Sequence, residues 1–269
     1  DVLVEETKGV YKMVMPRVKP TTAIKMIRKN SRALHYENSG FLFYENAHGF
    51  QFKSYEGLFC KKDGSPRPIK ARYSPKVKNI GEDDIYNLQS VEDFRILSQF
   101  NTLLNTNNGV YSSRLLTHDL FNKTFKTYDF DYNLEYLKQN HLEQDNSGDK
   151  RDNNGILPFF NYDKGNTFGS KNEGALYLQS TTTKVHNDYE QPEVEKILQK
   201  RISQHLAVNA LNIEITVPGS TEINIGDIVH FAMPKYATPT DTDIKDQDVY
   251  LTGRYFISAA RQQVYIVDK

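Results

Sequence analysis

Asn212-Ile213-Glu214-Ile215-Thr216-Val217-Pro218-Gly219 follows directly on a helix-patterned segment, Pro192 to Leu211, and decides how the chain is read. β-Branched residues at 213, 215, 216 and 217 predict a strand, and Pro218-Gly219 ends it. A short polar connection leads to Gly226-Asp227 and a second strand, Ile228 to Met233. A polar loop then reaches a third, within Asp248-Val249-Tyr250-Leu251-Thr252-Gly253-Arg254-Tyr255-Phe256-Ile257-Ser258. This order predicts a small antiparallel β-barrel at the C-terminus, filled by its own side chains, with a helix leading into it. Val194, Ile197, Leu198, Ile202, His205 and Leu206 are expected to form that helix's inward face.

The N-terminal part is patterned differently. Val2-Leu3-Val4 and Gly9 to Met15 read as short strands, stopped by Pro16 and Pro20. Thr21 or Thr22 offers a cap for a helix carrying Ala23, Ile24 and Ile27 and ending near Ala33. Gly40 to Glu45 and Phe50-Gln51-Phe52-Lys53 read as a hairpin around Asn46-Ala47-His48-Gly49. A short helix from Tyr55 to Phe59 and a turn at Gly64-Ser65-Pro66-Arg67-Pro68 lead to a strand, Ile69 to Tyr73. The spacing of Phe94, Leu97, Phe100 and Leu104 reads as helical or mixed, and Val110 to Asp119 with Phe125 to Tyr132 as a hairpin.

The fold class is therefore mixed α+β and β-rich. Residues 1–19 read as a strand remnant of a preceding barrel or a linker, and 20–85 as an α+β unit. Residues 86–133 and 185–269 form the barrel domain, and 134–184 an insertion. Its stretch 144–155 holds almost nothing to bury.

Composition narrows the functional classes. Lysine plus arginine and aspartate plus glutamate each number 34 in 269 residues, so a general electrostatic grip on nucleic acid is not expected. Cys60 is the only cysteine, which excludes an intramolecular disulfide and a cysteine-rich zinc site and fits a reducing compartment of assembly. No apolar run approaches the roughly 18 residues of a membrane span. Tyrosine (17) and phenylalanine (15) without tryptophan favour strands. A first residue Asp1 rather than methionine points to a piece of something longer.

Candidate chemistry is thin. Aligning Gly155 with the invariant glycine of a calcium loop puts Lys150 at the first ligand and Asn161 at the bidentate glutamate, so a solvated loop is the stronger reading. The seven histidines lack zinc-ligand spacing. His118-Asp119, if within one strand, point to opposite faces, and Cys60 after an apolar pair reads as a small hydrophobe. Phosphate-loop, dinucleotide and nucleophile-elbow motifs are absent from the sequence. Basic residues cluster at Lys61-Lys62, Arg67, Lys70, Arg72 and Lys76 to Lys78, near Tyr73; a solvated surface is favoured there over a lumenal or nucleic-acid-facing strip. No catalytic residue, metal or cofactor is assigned.

The order and spacing of these features resemble the baseplate hub proteins of contractile-tailed bacteriophages of the T-even type. The resemblance is carried by Phe41-Leu42-Phe43-Tyr44-Glu45-Asn46-Ala47-His48-Gly49-Phe50-Gln51-Phe52, the helix at 192–211, Val217-Pro218-Gly219, Ile225-Gly226-Asp227-Ile228-Val229 and Gly253-Arg254-Tyr255-Phe256-Ile257. The spike-scaffold proteins of type VI secretion share a related plan. The resemblance covers most of 20–269; the additional barrel that precedes the helix-bearing unit in the family is represented here at most by Val10 to Met15, and 138–174 has no counterpart.

The resemblance implies a structural, non-enzymatic virion protein, assembled in the host cytoplasm and resident in the tail baseplate. It implies a homotrimeric ring that adapts the sixfold tail tube to the threefold central spike. DNA passes through the lumen without sequence-specific binding. Its partners are the spike, a tail-tube or tube-initiator protein and other baseplate proteins, with no membrane-spanning segment. The expected subunit contacts lie along 212–217, 228–233 and 234–248, through Asn212, Glu214, Thr216, Ile228, His230 and Lys235. Gly219, Gly226 and Gly253 are expected at turns. Two other readings stand beside this one. A tail-associated peptidoglycan hydrolase needs two carboxylates about 5–10 Å apart in a pocket. A carbohydrate- or host-receptor-binding β module needs exposed aromatics lining a groove.

Overall fold

A two-residue turn at Ala47-His48 sets the register of the first sheet, pairing Asn46 with Gly49. In the computed structural model, the residues described are 2–9, 13–36, 39–75, 89–99, 101–119, 122–132, 135, 138–142, 175–181, 194–234, 248 and 250–264. Their fold is mixed α+β and strand-rich, with four small sheets.

Strands β2 (Phe41–Asn46) and β3 (Gly49–Ser54) form the expected hairpin, and β1 (Val2–Val4) lies parallel to β3. Helix α1 (Pro20–Asn30) packs Ile24 against Ala33, Phe41 and Phe52, and the two phenylalanine rings stack at 4.9 Å. The expected threonine cap is not used. Lys19 occupies the cap position without a side-chain bond, and Pro20 opens the helix, where its missing N–H costs nothing. Met13 to Met15 form no strand, and Val14 is 92% exposed; Val10 to Lys12 lie outside the described residues.

Helix α2 (Tyr55–Phe59) is buried along its whole length. Ser54 caps it, accepting from the Gly57 N–H at 3.0 Å. Glu5 in turn accepts from the Ser54 N–H and hydroxyl at 2.8 and 2.7 Å, tying the N-terminal segment to the cap. Tyr55, Leu58, Phe59 and the fully buried Cys60 then pack against Leu42, Tyr44, Val208 and Phe256.

Between Val91 and Leu104, read as helical or mixed, strand and helix follow one another. The chain there forms β5 (Ser90–Val91), β6 (Asp93–Ser98), whose burial alternates, and a short helix α3 (Thr102–Asn107). Long-range pairing decides the matter: β6 runs antiparallel to β10 (Asn212–Thr216) as a separate two-stranded sheet. The third sheet has the order β12 (Gly253–Phe256), β11 (Ile228–Phe231), β4 (Ala71–Pro75), β5. Tyr73, Val91, Val229, Phe231 and Met233 form its core, covered by Phe94, Ile213, Ile215 and Val217 from β6 and the segment containing β10. The expected closed barrel is not found among the described residues. β10 and β11, neighbours in sequence, do not pair, and β10 and β12 each end a sheet.

Strands β7 (Ser112–Asp119) and β8 (Thr124–Asp131) form the second predicted hairpin. Within the expected insertion, β9 (Ala175–Thr181) adds to β7 in parallel; 143–174, including the candidate calcium loop, lie outside the described residues. Helix α4 (Val194–Val208) lies on this sheet; of the predicted face Ile197 is buried and Leu206 packs against a core cluster, while Gln199, Ser203 and Gln204 take the other buried places. Gln199 Nε2 donates to the carbonyls of Ser113 (2.9 Å) and Tyr128 (3.3 Å), one on each hairpin strand. The Ser203 hydroxyl donates to the Val110 carbonyl at 2.6 Å. Hydrogen bonds as well as apolar packing therefore hold this helix in place. Replacing Gln199 by methionine keeps the volume and removes the donor; the expected loss is about 1–2 kcal/mol of stability, read from the urea unfolding midpoint.

Candidate functional site

The predicted contact residues fall into two groups. Asn212, Glu214 and Thr216 lie on β10, which has β6 as its ladder partner among the described residues, leaving an edge. Glu214 accepts from Arg95 Nη2 across that ladder at 2.5 Å. Ile228 and His230 are placed differently: β11 is an interior strand between β12 and β4, and Ile228 is 2% exposed, so it packs inside rather than reaching a neighbour. Lys235 lies outside the described residues.

Of the three glycines, Gly226 meets the expectation. Its φ is +92°, and a Cβ there would stand 2.5 Å from the Tyr44 hydroxyl. Gly219 faces open space, and Gly253 sits in β12 opposite Phe231. Gly226→Ala is expected to cost about 1–3 kcal/mol, and Gly219→Ala less than about 0.5 kcal/mol, in parallel thermal unfolding.

The outer face of the four-stranded sheet carries a feature that strand alternation alone hides. Tyr73, Val229, Phe231 and Tyr255 join the core, so Arg72, His230 and Arg254 point to the opposite side. The register places His230 opposite Arg72 on one neighbour and opposite Arg254 on the other. Three basic side chains thus stand in a row across three strands about 4.8 Å apart. Beside this row is a cleft of about 540 Å³ whose polar lining comprises Lys61, Arg67, Lys70, Arg72, Gln89 and Arg254. Among the described residues, no carboxylate belongs to its lining.

Two of the guanidiniums are positioned by the fold. Arg67 Nε donates to the Gly57 carbonyl at 2.8 Å, and Arg254 Nη2 donates to the Arg67 carbonyl at 2.7 Å. Lys70 and Arg72 are exposed, and among the described residues neither enters an ion pair. Lys62, counted in the same sequence cluster, turns away to Glu6 at 3.2 Å; Lys76 to Lys78 lie outside the described residues.

Electrostatics follow from this crowding. Burial first, then the charges of Arg72 and Arg254, hold the His230 imidazole below the ordinary 6.5. His205, bonded through Nδ1 to the Tyr55 hydroxyl at 2.8 Å, is lowered by burial and then by Arg28 and Arg201. Burial and then Arg67 likewise lower the Lys53 ammonium. A histidine depressed in the fold binds its proton better when unfolded, so its contribution is present above pH 6.5 and is lost as pH falls below that value towards the folded pKa. Unfolding free energy is expected to decline between about pH 7 and pH 5. His230→Gln is expected to flatten that slope in urea titrations at each pH.

Other candidate groups serve the fold. His118 stacks on Phe125 at 4.2 Å on one face of β7, while Asp119 on the other accepts from Asn122 at 3.1 and 3.2 Å. The buried carboxylate of Glu56 accepts from the Asn140 N–H and side-chain amide. Cys60 is fully buried. No helix among the described residues is long and apolar enough to cross a membrane. The chain matches no protein-family model, and no curated protein matches it.

Proposed function

We propose that this chain is a structural component of a contractile-tail baseplate hub, acting without catalysis. In this reading three copies form a ring that adapts the sixfold tail tube to the threefold central spike and surrounds the DNA passage. The observation that carries it is the pair of open sheet ends. β5 runs into β6 through Glu92, whose N–H donates to the Thr216 carbonyl at 2.9 Å, so the chain passes from the four-stranded to the two-stranded sheet over a shared core. On the other side β10 and β12 each keep one ladder partner among the described residues.

A barrel-like unit left open along one seam presents backbone donors and acceptors to a neighbour of complementary shape. Repeating that contact around an axis closes a ring, and in this reading the β10 residues Asn212, Glu214 and Thr216 meet the sister subunit. The finer barrel architecture and the spike, tube and DNA partners belong to this same proposal.

Sedimentation equilibrium at high protein concentration tests it, alone and with purified spike protein. The expected species has three times the chain's mass, and Thr216→Arg on the open edge is expected to shift it towards monomer. A strictly monomeric chain under both conditions, or release of reducing sugar from cell-wall murein, counts against the reading.

A further inference from the structure

The basic cleft borders β12, one of the two open sheet ends, through Arg254, and its ligand chemistry goes beyond the ring reading. We propose that it is a binding site for a compact ligand carrying two or more phosphate groups, gripped by Lys70, Arg72, Arg67 and Arg254 with Lys61 at the rim.

The ladder sets Arg72 and Arg254 on either side of His230, two guanidiniums on one sheet face with an imidazole of lowered pKa between them. Five cations line one concavity whose lining, among the described residues, includes no carboxylate. Asp63 feels the charge of Lys61, but its carboxylate is held by Ser65 at 2.6 Å and is not part of the lining. A bound polyanion relieves the repulsion among these cations, and it finds guanidiniums already aimed by the Gly57 and Arg67 carbonyls.

The shape narrows the class. The volume, about 540 Å³, falls in the range of small-ligand sites. β4 pairs with β11 at Ala71 to Tyr73 and with β5 only at Ser74 and Pro75, so an extended acidic peptide is the competitor that a titration must rank. Among the described residues no aromatic side chain lines the cleft, which removes the stacking platform that single-stranded nucleic acid uses. What remains suits phosphate oxygens. Each phosphate brings close to two negative charges in a small volume, so two or three of them balance the five cations where carboxylates would need twice the number.

Isothermal titration calorimetry of the full chain with tripolyphosphate at low ionic strength tests this. Saturable binding that weakens as salt rises is expected. Lys70→Gln with Arg72→Gln, both exposed, is expected to weaken it about tenfold or more for each cation removed, while Lys62→Gln leaves it unchanged. In the unsubstituted chain, tripolyphosphate is expected to shift the His230 ring resonances, a readout that needs no variant. Absence of binding at millimolar tripolyphosphate overturns the proposal. So does equal affinity in the double variant, or binding that leaves His230 unperturbed. A hexaglutamate peptide or a short single-stranded oligonucleotide that binds more tightly and displaces tripolyphosphate overturns the ligand class. Comparing tripolyphosphate with ATP tells a free oligophosphate from a nucleotide tail.

Discussion

The five-residue helix Tyr55–Phe59 is the constraint on which the arrangement of the described residues turns. A helix this short does not persist in water by its own hydrogen bonds, so it exists here because it is buried on every side. Its cap, Ser54, is held by Glu5 from the N-terminal segment, and its first carboxylate, Glu56, receives Asn140. Its Gly57 carbonyl anchors Arg67, and its Tyr55 ring reaches His205 of the long helix and the edge of Phe256. Segments distant in sequence therefore meet on one turn of helix. Displacing it would unseat the first hairpin, the long helix and the C-terminal sheet together.

The same turn explains why a cationic row can exist on the sheet beyond it. Phe256 is covered by Tyr55 and Phe59, so that end of the outer sheet face is apolar and dry. The next positions out, Arg254 and Arg72, reach the open cleft, with His230 between them on the ladder. Backbone carbonyls orient Arg254 and Arg67 there, and a neutral carbonyl fixes a guanidinium's direction without cancelling its charge. Stability comes from the apolar side of the sheet, where Val229, Phe231 and Tyr73 pack, and the polar side is left to do something else.

Two kinds of joint hold the remaining elements. The first is apolar, between the face containing Ile213 and Ile215 and the four-stranded sheet. The second is polar, where Gln199 and Ser203 seat the long helix on carbonyls of the second hairpin and of Val110 just before it. A buried amide is costly without partners and specific with them, so this joint selects one rotation of the helix. A purely apolar stripe would tolerate several.

Local chemistry marked the two hairpins, the turn at Ala47-His48, the capped start of the short helix at Ser54 and the glycine at 226, although burial is what keeps that helix formed. Each depends on neighbours a few residues away: alternation, a capping hydroxyl, a backbone angle. Tertiary structure decided what those rules leave degenerate. Phe94 and Leu97 fit a helix or a strand equally until β10 supplies a partner, and Gln199 looks solvent-facing until two carbonyls meet it. Arg72, His230 and Arg254 are far apart in the chain and become neighbours only through the pairing of three strands. Spacing is a local property, whereas strand partnership and the convergence of charge are set by contacts between distant segments, and no periodicity in the sequence records them.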